Sequence, residues 1–222
     1  MHRRHSATIA HIAPFAAFLL LIDLERAFSL PAQVFYPARV VVVSLLLLVL
    51  SRPYLTLRPS APLSTAVVGI AVFLVWIAPD ALFGYRHSWL FSNPLTGAPV
   101  STIAPALRHD ALFAIVRAAG CTLLVPVFEE LFWRGWLMRW LIKPEFLKLP
   151  FGTYQKSAFW IVAVLFAAEH GPYWEVGLAA GIVYNWWAVR TRSLGDCILA
   201  HAVTNGLLSA YVLMTGHWEY WF

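Results

Sequence analysis

The chain has 222 residues, 60% of them hydrophobic and only 12% charged, whereas a soluble domain is about 45–50% apolar and about 25% charged. That excludes an ordinary soluble enzyme and points to an all-α polytopic membrane protein, a single integral domain over residues 1–222 without linker, low-complexity tract or repeat. The formal net charge is +5, but the basic residues lie between apolar segments and form no binding motif, so nucleic acid is excluded as a partner and the lipid bilayer is the expected one.

Seven apolar segments follow in order. The opening Met1-His-Arg-Arg-His5 and the apolar run after it resemble a signal peptide. Asp23, Glu25 and Arg26 follow with no small-residue cleavage pattern, so a first membrane helix over Ile9–Phe28 is expected. The second and third segments are Tyr36–Leu50 and Leu63–Ala78. Residues 79–108 contain Gly84, Asn93-Pro94, Gly97 and Pro99 and read as a loop or a re-entrant piece. The fourth segment, Asp110–Ile142, has Gly120 and Pro126 inside and is either two helices or one kinked helix. After a polar connection at 143–155 come Lys156–His170, ended by Gly171-Pro172, then Tyr173–Val189 and Ser193–Thr215. Several fall short of the roughly 20 residues of a perpendicular span, so six to eight membrane helices are expected.

Loop charge sets the expected orientation. With the N-terminus inside, the inner face holds Arg3, Arg4, Arg52, Arg58, Arg139, Lys143, Lys148, Lys156, Arg190 and Arg192. The outer connections hold Arg39, Arg86 and Arg108 against Asp80 and Asp110. That bias predicts N-terminus in and C-terminus out. Trp218, Tyr220, Trp221 and Phe222 would then lie at the outer interface, where amphipathic rings collect.

Ionisable groups inside a bilayer cost about 2.5–3.5 kcal/mol each at mid-helix on insertion scales, and they mark function. Segment four carries Glu129, Glu130 and Arg134, segment five ends on Phe166-Ala-Ala-Glu169-His170, and segment seven holds His201 and Asn205. Glu130 and Arg134 are four apart, on one face, acid before base. Glu129 lies roughly 100° around the helix from Glu130, so it is free to hold a water and to act as a general base. His201 and Asn205 also share a face, where two donors can hold an oxyanion. His170 can share the water with Glu129. By rise per residue Glu129 lies roughly 20 Å, and His201 roughly 13 Å, from the inner end of its segment, compatible with one site reached from the inner half of the bilayer.

Taken singly, each pattern also has a structural reading: an ion pair, a helix cap, an interhelical clamp. Glu169, Glu175 and Asn185 are read as structural or rim residues. Cys121 and Cys197 lie in apolar segments and read as buried small hydrophobes.

The three motifs resemble the CPBP family of intramembrane proteases, the group of the CAAX prenyl protease Rce1 and the bacterial Abi proteins. Its pattern is Glu-Glu-x-x-x-Arg, Phe-x-x-x-His and His-x-x-x-Asn. Glu129, Glu130, Arg134, Phe166, His170, His201 and Asn205 match it, with Pro126 and Gly135 in keeping, and the similar core covers 105–215. Within it the chain looks similar to the branch found with bacterial exosortase sorting systems. That likeness lies in Glu129 to Leu141 (EELFWRGWLMRWL), Pro150-Phe-Gly152, Leu199 to Asn205 (LAHAVTN), Thr215-Gly-His-Trp218 and Val75-Trp-Ile77.

The resemblance implies an intramembrane endopeptidase of the bacterial inner membrane that forms no covalent intermediate and needs no cofactor. Glu129 would activate water with the help of His170, Glu130 and Arg134 would support the site, and His201 with Asn205 would form the oxyanion hole. The substrate implied is a membrane-anchored protein or peptide. Eukaryotic members act on prenylated C-termini, and the branch implies a link to an exosortase system. Glu169, directly before His170, departs from the pattern by adding a third acid.

Other readings lack comparable support. A zinc protease would be expected to show His-Glu-x-x-His, and a rhomboid-type serine site a Gly-x-Ser-Gly stretch. Ser193-Leu-Gly-Asp196 reads as a helix start rather than an aspartyl site. A transporter would show repeat symmetry. A non-catalytic scaffold, immunity protein or chaperone would not need the intact residue set.

Overall fold

The computed structural model describes the backbone of residues 2–221 and the side chains of 7–221 other than residue 87. The expectations placed on the side chains of Arg3, Arg4 and Phe222 lie outside the described residues.

Seven helices form the described chain: α1 (His2–Ala27), α2 (Ala32–Tyr54), α3 (Pro62–Phe83), α4 (Ala111–Trp140), α5 (Lys156–Glu169), α6 (Trp174–Thr191) and α7 (Leu194–Thr215). The membrane bundle expected from the apolar segments is what the chain forms. Five helices, α1 from Ala7 together with α2, α3, α4 and α7, are long and apolar enough to cross a membrane. Their outward faces carry Leu48, Val49, Val67, Leu74, Leu112 and Leu123, all exposed, as suits a surface whose solvent is lipid. The two remaining helices pack along each other, and α3 packs along α7.

Local chemistry fixes the ends. Asp110 accepts the amide of Phe113 at 3.0 Å and starts α4, and Gln155 does the same for Ala158 at 3.3 Å to start α5. Ser193 accepts from the amide of Asp196 at 3.2 Å and starts α7. At that same end the buried Asp196 carboxylate accepts from Ser60 N (2.7 Å), Ser60 Oγ (2.6 Å), Ala61 N (3.0 Å) and Thr65 Oγ1 (2.6 Å). It ties the α2–α3 connection to the foot of α7, a structural duty in keeping with its helix-start reading.

Segment four is one continuous helix, which decides between the two expectations for it. It accommodates Pro126 by widening: residues Gly120–Leu124 form a π-helical turn just ahead of the short α-helical stretch Val125–Glu130, and Leu131–Leu137 form a second. Proline has no N–H and crowds the carbonyl four residues before it, and an expanded turn relieves both. The two glutamates thus sit on a short, regular stretch between two wide turns.

Residues 84–110 are an irregular loop with one isolated bridge, Asn93 to Gly97. It lies over the α5–α6 turn, where Phe91 stacks on Trp174 at 5.8 Å between centroids. Arg86 anchors it from a buried position. Its Nε donates to Glu175 at 2.8 Å, Nη1 to Tyr220 Oη at 3.3 Å and Nη2 to Trp76 O at 2.9 Å. Arg39 is likewise buried, 3.3 Å from Glu25 and over the Phe18 and Tyr36 rings at 4.9 and 5.1 Å. Two of the three basic residues assigned to outer connections therefore hold helices together.

Candidate active site

The centre of the bundle is built on Arg134. Its side chain is buried and fully engaged: Nη1 donates to Glu130 Oε1 at 2.9 Å, Nε to Asn185 Oδ1 at 2.9 Å and Nη2 to Gly181 O at 3.3 Å. The guanidinium lies 4.6 Å from the centroid of the Phe166 ring. The pairing of Glu130 with Arg134 expected from their spacing is present. The contribution of α6 was not expected, because Asn185 reads as a rim residue in the sequence. Its Nδ2 in turn donates to Phe159 O at 2.8 Å, which fixes the amide between α4 and α5.

Gly181 explains how α6 comes so near. A Cβ there would lie 3.1 Å from Ala163 O and 3.2 Å from Ala163 Cα, tighter than ordinary contact, so the glycine lets α5 approach more closely than a side chain would. Gly177 and Gly181 are four apart, a small-residue stripe of the kind that brings membrane helices together. That pattern is visible in the sequence and is the signal that would have placed α6 in the site.

Glu130 Oε1 also meets His201 Nδ1 at 2.9 Å. With the carboxylate ionised against Arg134, that ring nitrogen carries the proton and donates it. His201 thus faces Glu130 through Nδ1, leaving Nε2 as its second functional edge. Its ring lies 5.2 Å from that of Tyr184, stacked, and Tyr184 donates to Thr204 Oγ1 at 2.8 Å. Asn205, one turn on, donates its Nδ2 to Cys121 O at 3.0 Å. The two residues expected to act side by side on one oxyanion are therefore each engaged with α4.

His170 ends α5. Its Nδ1 lies 2.6 Å from Phe166 O; a carbonyl only accepts, so Nδ1 carries the proton and Nε2 is the edge left for a water or substrate. The ring packs against Phe166 at 4.6 Å and Trp76 at 5.3 Å. Phe166 thus touches Arg134, His170 and His201 together, 6.1 Å from the last.

Glu129 is arranged differently from Glu130. Glu130 is fully buried and doubly paired, whereas Glu129 is half-buried and its inward Oε2 has no protein partner. Among the charged groups acting on Glu129, Glu169 acts most strongly, followed by Glu130 and Arg134. Glu129, Glu130 and Arg134 of α4 thus lie near Glu169 and His170 at the end of α5, with His201 bonded to Glu130. A metal-dependent site would need at least three convergent donors, and no such group of His, Cys, Asp or Glu occurs among the described residues.

Chemically the arrangement splits in two. Glu130, Arg134, Asn185 and His201 are buried and mutually bonded. Glu129, Glu169, His170 and Asn205 are half-buried, and the first three carry edges not committed to the protein.

Residues 111–207 match a family model, that of the Rce1-like type II CAAX prenyl endopeptidases. No curated protein matches the chain, and no solved structure does. The matched region opens with α4 and closes two residues after Asn205, so it contains every residue of the three motifs.

Proposed function

Given the Rce1-like domain that this membrane protein carries over residues 111–207, we propose that the chain is a glutamate-dependent intramembrane endopeptidase. Glu129 takes a proton from a water held against His170 Nε2, and that water attacks the scissile carbonyl. Glu130 and Arg134 keep the surrounding helices in register. His201 Nε2 and the Asn205 Nδ2 hydrogen not given to Cys121 O face the developing oxyanion. For His201 to donate through Nε2 while Nδ1 bonds Glu130, the ring must carry both protons.

The observation that carries this reading is the contrast between the two adjacent glutamates. One is saturated by Arg134 and His201, and the other keeps an unpartnered oxygen. A structural ion pair accounts for Glu130 but leaves Glu129 as an unexplained cost.

The substrate in this proposal is a membrane-anchored protein or peptide, and a sorting-signal protein of an exosortase system is the first class to examine. With the N-terminus inside, entry is from the inner half of the bilayer. On that side the surface has an open hollow of about 210 Å³, lined by Leu57, Pro59, Thr122, Val127, Ile198 and Ala202, between the α2–α3 connection, α4 and α7.

Comparative proteomics of membrane-protein termini, in cells carrying the wild type or Glu129→Gln, tests the proposal. New termini found only with the wild type are expected, and they identify the substrate as well. Identical termini in both strains would refute it and favour a scaffold that keeps the fold.

A further inference from the structure

Resting on the endopeptidase reading, we infer that Glu169 is a second proton-carrying group of the reaction, the acid that protonates the leaving amine. Few groups at the site have a proton to give. His170 Nδ1–H is held by Phe166 O at 2.6 Å, and His201 Nδ1–H by Glu130 at 2.9 Å. In the neutral His170 ring Nε2 then only accepts, and the second proton that His201 carries at Nε2 is held by the oxyanion it faces. Tyr184 gives its hydroxyl proton to Thr204 at 2.8 Å, and Arg134 has three bonds of its own. Carboxyl groups remain.

Charge points the same way. Three glutamates, Glu129, Glu130 and Glu169, act on one another around a single guanidinium. Arg134 is bonded to Glu130, at 2.9 Å. Glu129 and Glu169 are left without a bonded cation, each with a buried oxygen that has no protein partner, Oε2 of the first and Oε1 of the second. Two such carboxyls in a low-dielectric site hold one proton between them more readily than two charges. One is then a base while the other is an acid, which is what amide hydrolysis requires.

The step balances. The Glu129 carboxylate removes a proton from water, the water oxygen bonds to the carbonyl carbon, and the C=O electron pair moves onto oxygen. As that pair returns, the C–N bond breaks, and the nitrogen takes the Glu169 proton and leaves as the amine. The proton on Glu129 passes to Glu169 through the next water, restoring the pair. Trp133, whose buried indole Nε1 has no hydrogen-bond partner and acts on Glu169, offers a structural alternative.

The experiment compares the wild type, Glu169→Gln, Glu169→Asp and Trp133→Phe. It uses isolated membranes that hold the full-length protein and the substrate whose terminus the wild type generates. Glu169→Gln is expected to reach wild-type abundance and to cleave about a hundredfold more slowly per molecule, the order that one general acid contributes. Its pH–rate profile should lose the alkaline limb, while Glu169→Asp recovers part of the rate. The groups that act on Glu169 and share the profile are Glu129, Glu130, Arg134 and Trp133 of α4. Wild-type rate and profile in Glu169→Gln would overturn the inference. So would equal loss of abundance in Glu169→Gln and Trp133→Phe with the rate per molecule intact, because that is a purely structural role. If the wild type itself generates no terminus, the endopeptidase reading fails before this test is reached.

Discussion

Replacing Arg134 with methionine separates the support of the site from its chemistry. The substitution keeps the length and apolar body of the side chain and removes the charge and three hydrogen bonds, to Glu130, Asn185 and Gly181. Breaking a buried ion pair from one side costs about 3–5 kcal/mol, because the other charge stays buried. Here Glu130 keeps only His201, and the orphaned acceptors on Asn185 and Gly181 add about 1–3 kcal/mol each before relaxation. A loss of at least about 5 kcal/mol is therefore expected. It would be measured as the shift in the unfolding midpoint of the full-length protein in mild detergent under a denaturing one. Glu129→Gln is the control: Oε2 has no protein partner to lose, so its midpoint should stay within about 0.5 kcal/mol of the wild type. The double substitution Glu130→Gln with Arg134→Met should recover part of the loss, since removing both partners is far less costly than removing one. An Arg134→Met midpoint within about 1 kcal/mol of the wild type, or equal losses for Arg134→Met and Glu129→Gln, would refute the division into support and working groups.

Two more predictions concern the ends of the bundle. Asp196→Ala removes the acceptor for four donors on Ser60, Ala61 and Thr65, with a loss of about 3 kcal/mol or more. Limited proteolysis should then cut within residues 55–61 first, and cleavage elsewhere at equal rates would contradict the assignment. At the other end, burial and the hydrogen bond to Glu175 push the Tyr85 hydroxyl from 10.0 up to about 12, and burial pushes Tyr220 up to about 12. The folded state thus holds these protons more tightly than the unfolded chain does. Their contribution is complete below pH 10 and lost as pH rises towards 12. Stability measured across that window should fall, and less steeply in Tyr85→Phe, whereas an unchanged slope in that variant would count against the buried Arg86 network.

The helices and the order of the motifs were legible because hydropathy and short-range spacing carry them. Each of the seven apolar segments became one helix, and Glu130 met Arg134 because four residues on one helix are neighbours whatever the rest of the chain does. What spacing does not carry is the partner across helices. His201 and Asn205 share a face, yet that fact does not say which residue of α4 each meets, and they met Glu130 and Cys121 O. Asn185 was read as a rim residue because a lone asparagine in an apolar run is common. Its role follows only once Gly181 has brought α5 and α6 close. The third segment was expected to stop before Pro79, yet α3 continues through it to Phe83. A proline ring disturbs a helix without always ending it.

The placing of Arg134 has a consequence for how the glutamates divide their work. A guanidinium in an apolar bundle is tolerable only when its donors are met, and Asn185, Gly181 and Glu130 meet them from two helices. That fixes α6 against α4 and commits Glu130 Oε1 to Arg134 and His201. The adjacent residue is turned by roughly 100° along the same short helical stretch, out of reach of those bonds and towards Glu169. The saturation of one carboxylate thus goes with an uncommitted oxygen on its neighbour, and both come from a two-residue sequence on a helix whose wide turns leave that stretch regular.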